Sequence, residues 1–485
     1  MTLLPGKHLL YPYIVSRERN FSISTRGQVM LLISMLAFIT AGLVVGILVW
    51  LVFFKRALFD PRVYVLYGMV HWLLIGQIGT LLGYQFYEVR PYFEEITHAK
   101  ATFCILAAII FFLAGYSYLP HTRSSEKQKG HNTKSYDVNM KRLALVTSCM
   151  GIIGLLSMYV FQKEIFLIYK FNFLPLLVTY LTPSAAVCAS YILIMRRKDL
   201  RGLTGIILKL VFLIVVLLAI IMTNITFVFP LFALLFWYFN RMKMQAVREK
   251  AIPAKRPSWR KILMWAVLIA LVAVISLVSK IGIQRSISRG ESVPLEMIKG
   301  ELLHRLATLD LFNPEGYGIV LHVIEMYANE GNYLFGKSFL VSMPFLRLVW
   351  PELRGFGRIM VLDVYGPSYE TINVGWSIPP IGELLANFSY PSIPFFYFLL
   401  GLICRSLYRR YQRSNSPVYL GFYSVFLPWL FMQQRGDFLN GTVFPAYIVL
   451  TTTFIFWLCR NKGIGPQGAG LPDRDVLPAQ THFEG

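Results

Sequence analysis

Apolar runs of about twenty residues recur along this 485-residue chain, and a run of that length crosses a hydrocarbon core of roughly 30 Å as a helix. Hydrophobic residues make up 56% of the sequence and charged residues only 15%, so the expectation is an all-α polytopic membrane protein. Runs near 28–54, 63–85, 101–119, 143–162, 174–195, 203–222, 225–240, 262–281, 390–404, 417–433 and 442–459 give about eleven crossings. The stretch Leu203 to Phe239 is too long for one tilted helix and takes a hairpin at Thr223-Asn224. The first run is also too long for a secretory leader and reads as a retained span.

The formal charge of +22 does not point to nucleic acid, because the basic residues sit in short loops beside span ends, as orientation by cytoplasmic Lys and Arg requires. Loops 120–142, 196–202 and 241–261 are the most basic, and all three alternate onto one side, joined by Lys55, Arg56, Arg405, Arg409, Arg410 and Arg460. Taking that side as cytoplasmic puts the C-terminal tail inside and the N-terminus outside, against the basic tail of Lys7, Arg17, Arg19 and Arg26. A half-inserted stretch from Leu9 to Val15 reconciles the two. The five cysteines all fall within expected spans and behave as small apolar residues. Lys209 inside the sixth run is read as snorkelling to the interface.

This pattern divides the chain into a transmembrane bundle of about eight spans over 1–281, an extracytoplasmic loop over 282–389, C-terminal helices over 390–462 and a disordered cytoplasmic tail over 463–485. The loop runs to roughly a hundred residues, far beyond an ordinary connection. Leu295, Ile298, Leu302, Leu303, Leu306 and Leu309 recur at helical spacing and predict an amphipathic surface helix. A second helix is expected through Val320, Val323, Ile324 and Tyr327 until Gly331. Residues 336–390, broken by Gly and Pro every few positions, read as an irregular wall or lid over an outward-facing cleft.

Arginine marks what such a cleft would bind. Arg285, Arg289, Arg305, Arg347, Arg354, Arg358 and Arg435 lie on the outer side, where lysine is rarer, and guanidinium forks suit bidentate recognition of phosphate or pyrophosphate. The plainer reading pairs Glu301 with Arg305 along a helix and closes a turn with Arg289 and Glu291. Glu383 stands just before the ninth span, where burial would raise its affinity for a proton and suit it to take one from a sugar hydroxyl; the plainer role is helix capping. His304 and His322 have no partner at metal-ligand spacing, and Ser338 and Ser342 lie in no nucleophile elbow. Arg435-Gly436-Asp437 forms a short outer turn facing the same compartment as the loop. It is not read as an adhesion motif, nor Asn387 and Asn440 as glycosylation sites.

Three stretches carry a family resemblance. Phe54-Lys55-Arg56-Ala57-Leu58-Phe59-Asp60-Pro61 leads into VYVLYGMVHWLLIGQIG, the loop contains GKSFLVSMPFLRLVWPEL, and PPIGELLANFSYPSIPFFYFLLGLICRSLYRR enters a late span that ends in a basic turn. The pattern resembles the Wzy-type oligosaccharide repeat-unit polymerases of bacterial envelopes, which include the O-antigen and enterobacterial common antigen polymerases. One departure is the hairpin Thr223-Asn224-Ile225-Thr226, where relatives often carry an arginine.

The resemblance implies a membrane-embedded, metal-independent glycosyltransferase of GT-C type that uses no cofactor. Such an enzyme sits in the bacterial inner membrane with its active site facing outward. It moves a growing glycan from undecaprenyl pyrophosphate onto the next lipid-linked repeat unit. The lipid bilayer and the lipid-linked glycan are the implied partners, and a chain-length-regulating membrane protein is admitted as another. In that role Arg289, Arg305 and Arg347 would stabilise the leaving diphosphate, with Arg285 and Arg435 in reserve, and Glu383 would act on the acceptor hydroxyl, with His304 behind it. Arg354, Arg358 and Asp437 complete the expected substrate contacts. Two other readings stand beside it: an O-antigen ligase with the same lipid donor, and a lipid-linked glycan flippase. The flippase is disfavoured because no paired internal repeats are visible.

Overall fold

A computed structural model of the chain describes residues 23–55, 57–81, 93–118, 138–160, 173–195, a few positions between 205 and 213, 228–248, 315–340, 355–366, 378–414, 416–436 and 444–460. These residues are mostly helical and contain no strand; Val138 and Arg460 form an isolated antiparallel bridge. Helix α1 (Ile23–Val49) runs on into a π-helical turn, Trp50–Phe54. Helix α2 (Pro61–Met69) passes through a second π-helical turn, Val70–Leu74, into α3 (Ile75–Leu81). There follow α4 (Glu95–Tyr118), α5 (Met140–Val160), α6 (Phe173–Met195) and α7 (Val228–Arg248). After 315 come α8 (Glu315–Val323), continued by a π-helical turn Ile324–Asn329, and the short helices α9 (Lys337–Leu340), α10 (Phe356–Tyr365) and α11 (Pro380–Phe388). Helices α12 (Ser392–Arg413), α13 (Pro417–Gln433) and α14 (Phe444–Leu458) complete the set.

Among the described residues, three stretches, Gln28–Phe54, Pro61–Leu81 and Glu95–Tyr118, are long and apolar enough to cross a membrane. On α1, Leu31, Leu32 and Leu43 are each more than 60% exposed, as a helix apolar on all sides is when its surroundings are lipid. Other long helices overlie expected runs, whereas 262–281 and most of 203–222 fall outside the described residues, as do the surface helix expected over 294–310 and the C-terminal tail.

Local chemistry explains where α2 begins. The Asp60 carboxylate accepts a hydrogen bond from the Arg62 backbone N–H at 3.0 Å, and Pro61 occupies the first helical position, where its missing N–H costs nothing. Helices α4 and α12 then pack side by side through glycine. A Cβ on Gly115 would lie 2.1 Å from the Phe398 carbonyl oxygen, and one on Gly401 only 2.3 Å from that of Phe112. Lipid is as apolar as a leucine side chain, so close backbone approach through small residues takes over much of the work that hydrophobic burial does in water.

Contacts sort the helix ends into two groups. At one end Asp60, Arg62, Tyr116 and Arg405 meet, the Tyr423 hydroxyl donates to the Phe59 carbonyl, Tyr411 donates to Asn240, Arg241 donates to the Ile194 carbonyl and Asn139 donates to the Cys459 carbonyl. At the other, His98 meets Tyr317 and Lys100 donates to Asn329, which brings α8 against the start of α4.

Candidate active site in the bundle

Helix α8 is a wedge. Its residues from Gly316 to Ile324 are all buried, so the segment EGYGIVLHV lies within the protein rather than on its surface. Gly316 makes the insertion possible, since a Cβ there would lie 2.3 Å from the Trp72 carbonyl oxygen. Tyr317 reaches His98 Nδ1 at 3.1 Å, next to a chain in which Gln77 donates to Thr102 at 2.5 Å and Thr102 donates to the His98 carbonyl at 2.8 Å. Burial raises the Tyr317 pKa, against the pull of hydrogen bonds with Thr102 and Gln77, so its hydroxyl stays protonated at neutral pH.

Trp72 belongs to the π-helical turn of α2. The extra residue in such a turn disturbs regular packing and often re-aims side chains at functional sites. The Arg435 guanidinium lies over the indole at 4.8 Å from the ring centroid. Beside it, Gln434 packs against Gly68, and its side-chain oxygen accepts from the Tyr397 hydroxyl at 3.2 Å. Trp72 Nε1 and Arg435 Nε are both buried with no acceptor among the described residues. Indole and guanidinium nitrogens can only donate, so this corner of the interior is electrostatically suited to oxygen atoms of an anion. Trp72 stands about 16 Å of helical rise beyond Pro61. Arg435, itself half-buried, therefore lies beside the middle of the Pro61–Leu81 stretch.

Glu383 sits on α11, whose every residue except Phe388 is buried. Its side chain is 1% exposed, and Oε1 accepts a hydrogen bond from Ser338 Oγ at 2.5 Å. Asn387, one turn on, donates to Ser338 Oγ and to the Glu383 carbonyl, both at 2.8 Å, while its own oxygen accepts from the Gly336 N–H at 2.9 Å. The Leu334 N–H adds a bond to the Ala386 carbonyl at 2.9 Å. Gly336 takes φ +84°, a left-handed conformation that costs glycine nothing and lets the 331–340 segment turn back onto α11. The carboxylate is thus held by a strap of chain, itself fixed on α11 by five bonds shared among three side chains and the backbone.

Helix α8 links the two clusters. Gly316 packs close to both Trp72 and Pro379, and Pro379 opens α11; Gly382 faces Val320 and Val323 of α8. Arg358, half-buried in the first turn of α10, is carried by the same framework, because the Tyr327 hydroxyl bonds Asp363 on α10 and its ring meets Phe356 edge-on.

Of the charged residues singled out from sequence, Arg358, Glu383 and Arg435 are described, and all three lie on or against this framework. Arg285, Arg289, His304, Arg305, Arg347, Arg354 and Asp437 lie outside the described residues. Trp72, His98, Tyr317, Ser338, Asn387 and Gln434 were not among the expected contacts. Gln77 and Thr102 carried a signal, being polar groups inside apolar runs; Trp72 and His98, the latter in the loop before the run over 101–119, carried none. Among the described residues no three His, Cys, Asp or Glu side chains gather as a metal site would require. Comparison with family models, with curated proteins and with solved structures found no match to this chain.

Proposed function

We propose that this protein is a metal-independent membrane glycosyltransferase that polymerises lipid-linked oligosaccharide repeat units by transferring the whole growing glycan from one polyprenyl diphosphate to the next unit. In this reading the chain crosses the bacterial inner membrane about eleven times, and 282–389 lies on the outer side. The observation that carries it is the pairing of two unlike sites across α8: buried N–H donors at Trp72 and Arg435, and a buried carboxylate at Glu383.

The chemistry needs both. The acceptor hydroxyl oxygen forms a bond to the anomeric carbon, the bond from that carbon to the diphosphate oxygen breaks, and the electron pair leaves with the diphosphate. Arg435 and the Trp72 N–H stabilise the charge that develops there, joined in this reading by Arg289, Arg305 and Arg347. Glu383 orients the acceptor hydroxyl and takes its proton. Ser338 keeps the carboxylate from turning away, and Asn387 holds Ser338 in place.

Arg435→Gln tests the proposal in cells. The variant should insert at normal abundance and yield glycans of one repeat only, seen as collapse of the ladder on a gel, while Trp72→Phe keeps the ring beneath Arg435 and shortens chains without abolishing them. Wild-type chain lengths in Arg435→Gln would remove the diphosphate role.

A further inference from the structure

The end of the bundle opposite α8 carries a surface that the proposed transfer does not use. Along the outward face of α12, Phe395, Leu399 and Ile403 are 68%, 40% and 53% exposed. They stand four residues apart, so they form one apolar stripe. Continued by two turns, that stripe runs into Arg410 and Arg413, both exposed, with Arg409 beside them. Arg405, one turn before Arg409, is instead folded inward over the Tyr116 ring at 5.2 Å.

Among the described residues, basic groups outnumber acidic ones at this end. Arg405, Arg409 and Arg413 follow one another at four-residue spacing, a repulsive arrangement on a helix. Burial and the charges of Arg405 and Arg413 hold the Arg409 guanidinium below its usual pKa. Asp60, the acid that the described residues place here, is already committed to Arg62 at 2.7 Å. Around the same rim Lys55 lies over Trp50 at 5.1 Å and Arg460 over Trp457 at 5.7 Å, and both indoles are nearly half exposed. Paired indoles and cations of this kind settle at the level of lipid headgroups.

We propose that the outward face of α12 is a binding site for an acidic phospholipid, with an acyl chain along Phe395, Leu399 and Ile403 and the phosphate headgroup at Arg409, Arg410 and Arg413. A stripe without the cations would hold any lipid; cations without the stripe would hold any anion. Their continuity on one helix face selects a molecule that is both. This inference does not depend on the transferase reading.

The full chain, purified in detergent, is offered phosphatidylglycerol and phosphatidylcholine together, and bound lipid is read by native mass spectrometry. The wild type should retain phosphatidylglycerol in preference, and R410Q/R413Q should weaken that retention about thirtyfold. Lys141→Gln, at the same end but on α5, should leave it unchanged. Equal retention of the two lipids by the wild type, full retention in R410Q/R413Q, or an equal loss in Lys141→Gln would each overturn the site. So would displacement of the lipid by inorganic phosphate alone, which would make the site one for a free anion. Should R410Q/R413Q not fold, a photoactivatable phosphatidylglycerol decides on the wild type: labelling of the 392–413 peptide supports the site, and labelling that spares it refutes the proposal.

Discussion

Glu383 and Ser338 are separated by 45 positions, and that separation explains why one was legible and the other was not. A carboxylate in the stretch PPIGELLANF, flanked by apolar residues at the mouth of a span, stands out because burying an ionisable group is costly. A serine in a Gly-rich loop does not, since its value lies in a partner that only the folded chain supplies. Arg435 was visible for the same reason as Glu383, but its depth was not, because nothing in Arg435-Gly436-Asp437 tells how far into the bundle α13 stops. The pair gives a direct expectation for Glu383→Gln. Glutamine keeps an oxygen to accept from Ser338, so the variant should fold with little loss, yet it cannot take a proton and its elongation rate should fall about 10²- to 10⁴-fold. Normal elongation by this variant, measured on purified protein, would reduce Glu383 to a structural strap.

Long helices were read from their apolar runs, and α13 occupies Pro417–Gln433 as the run over 417–433 predicts. The short helices were missed. FGRIMVLDVY and PIGELLANF, which form α10 and α11, give only two or three turns each, too few for periodicity to separate helix from loop among frequent Gly and Pro. The second loop helix was foreseen, since α8 with its π-helical turn covers Glu315–Asn329, but the burial of every residue from Gly316 to Ile324 was not. Tyr317, a polar residue within it, finds its partner inside the bundle at His98. At the α4–α12 seam, Gly401→Val should destabilise the protein by about 1–3 kcal/mol or more, because the atom met by the new side chain is the Phe112 backbone carbonyl, which has no rotamer to yield. A thermal midpoint in detergent close to wild type would mean that the two helices do not pack through glycine.

The described chain holds together as helices whose ends meet in two sets, with aromatic and cationic groups at one and the α8–α11 framework at the other. Charge patterning alone placed Lys55 and Arg405 on a common side, and the structure brings their helix ends to the Asp60 end. What charge could not reveal is the buried pivot there. Asp60 is 1% exposed and bonds Arg62 through both carboxylate oxygens. Asp60→Asn keeps the helix cap but strands the guanidinium, and the expected cost is about 2 kcal/mol, less than the roughly 3–5 kcal/mol of a fully buried pair because Arg62 retains some exposure. An unchanged midpoint would assign the α2 anchor elsewhere. Glycan transfer without a metal ion is a chemical property, and purified protein tests it without cells. Supplied with an undecaprenyl-pyrophosphate-linked repeat unit and no metal ion, the wild type should produce a ladder of longer glycans on a gel, with free undecaprenyl pyrophosphate released at each step; substrate that stays unchanged, in protein shown to be folded, would contradict it.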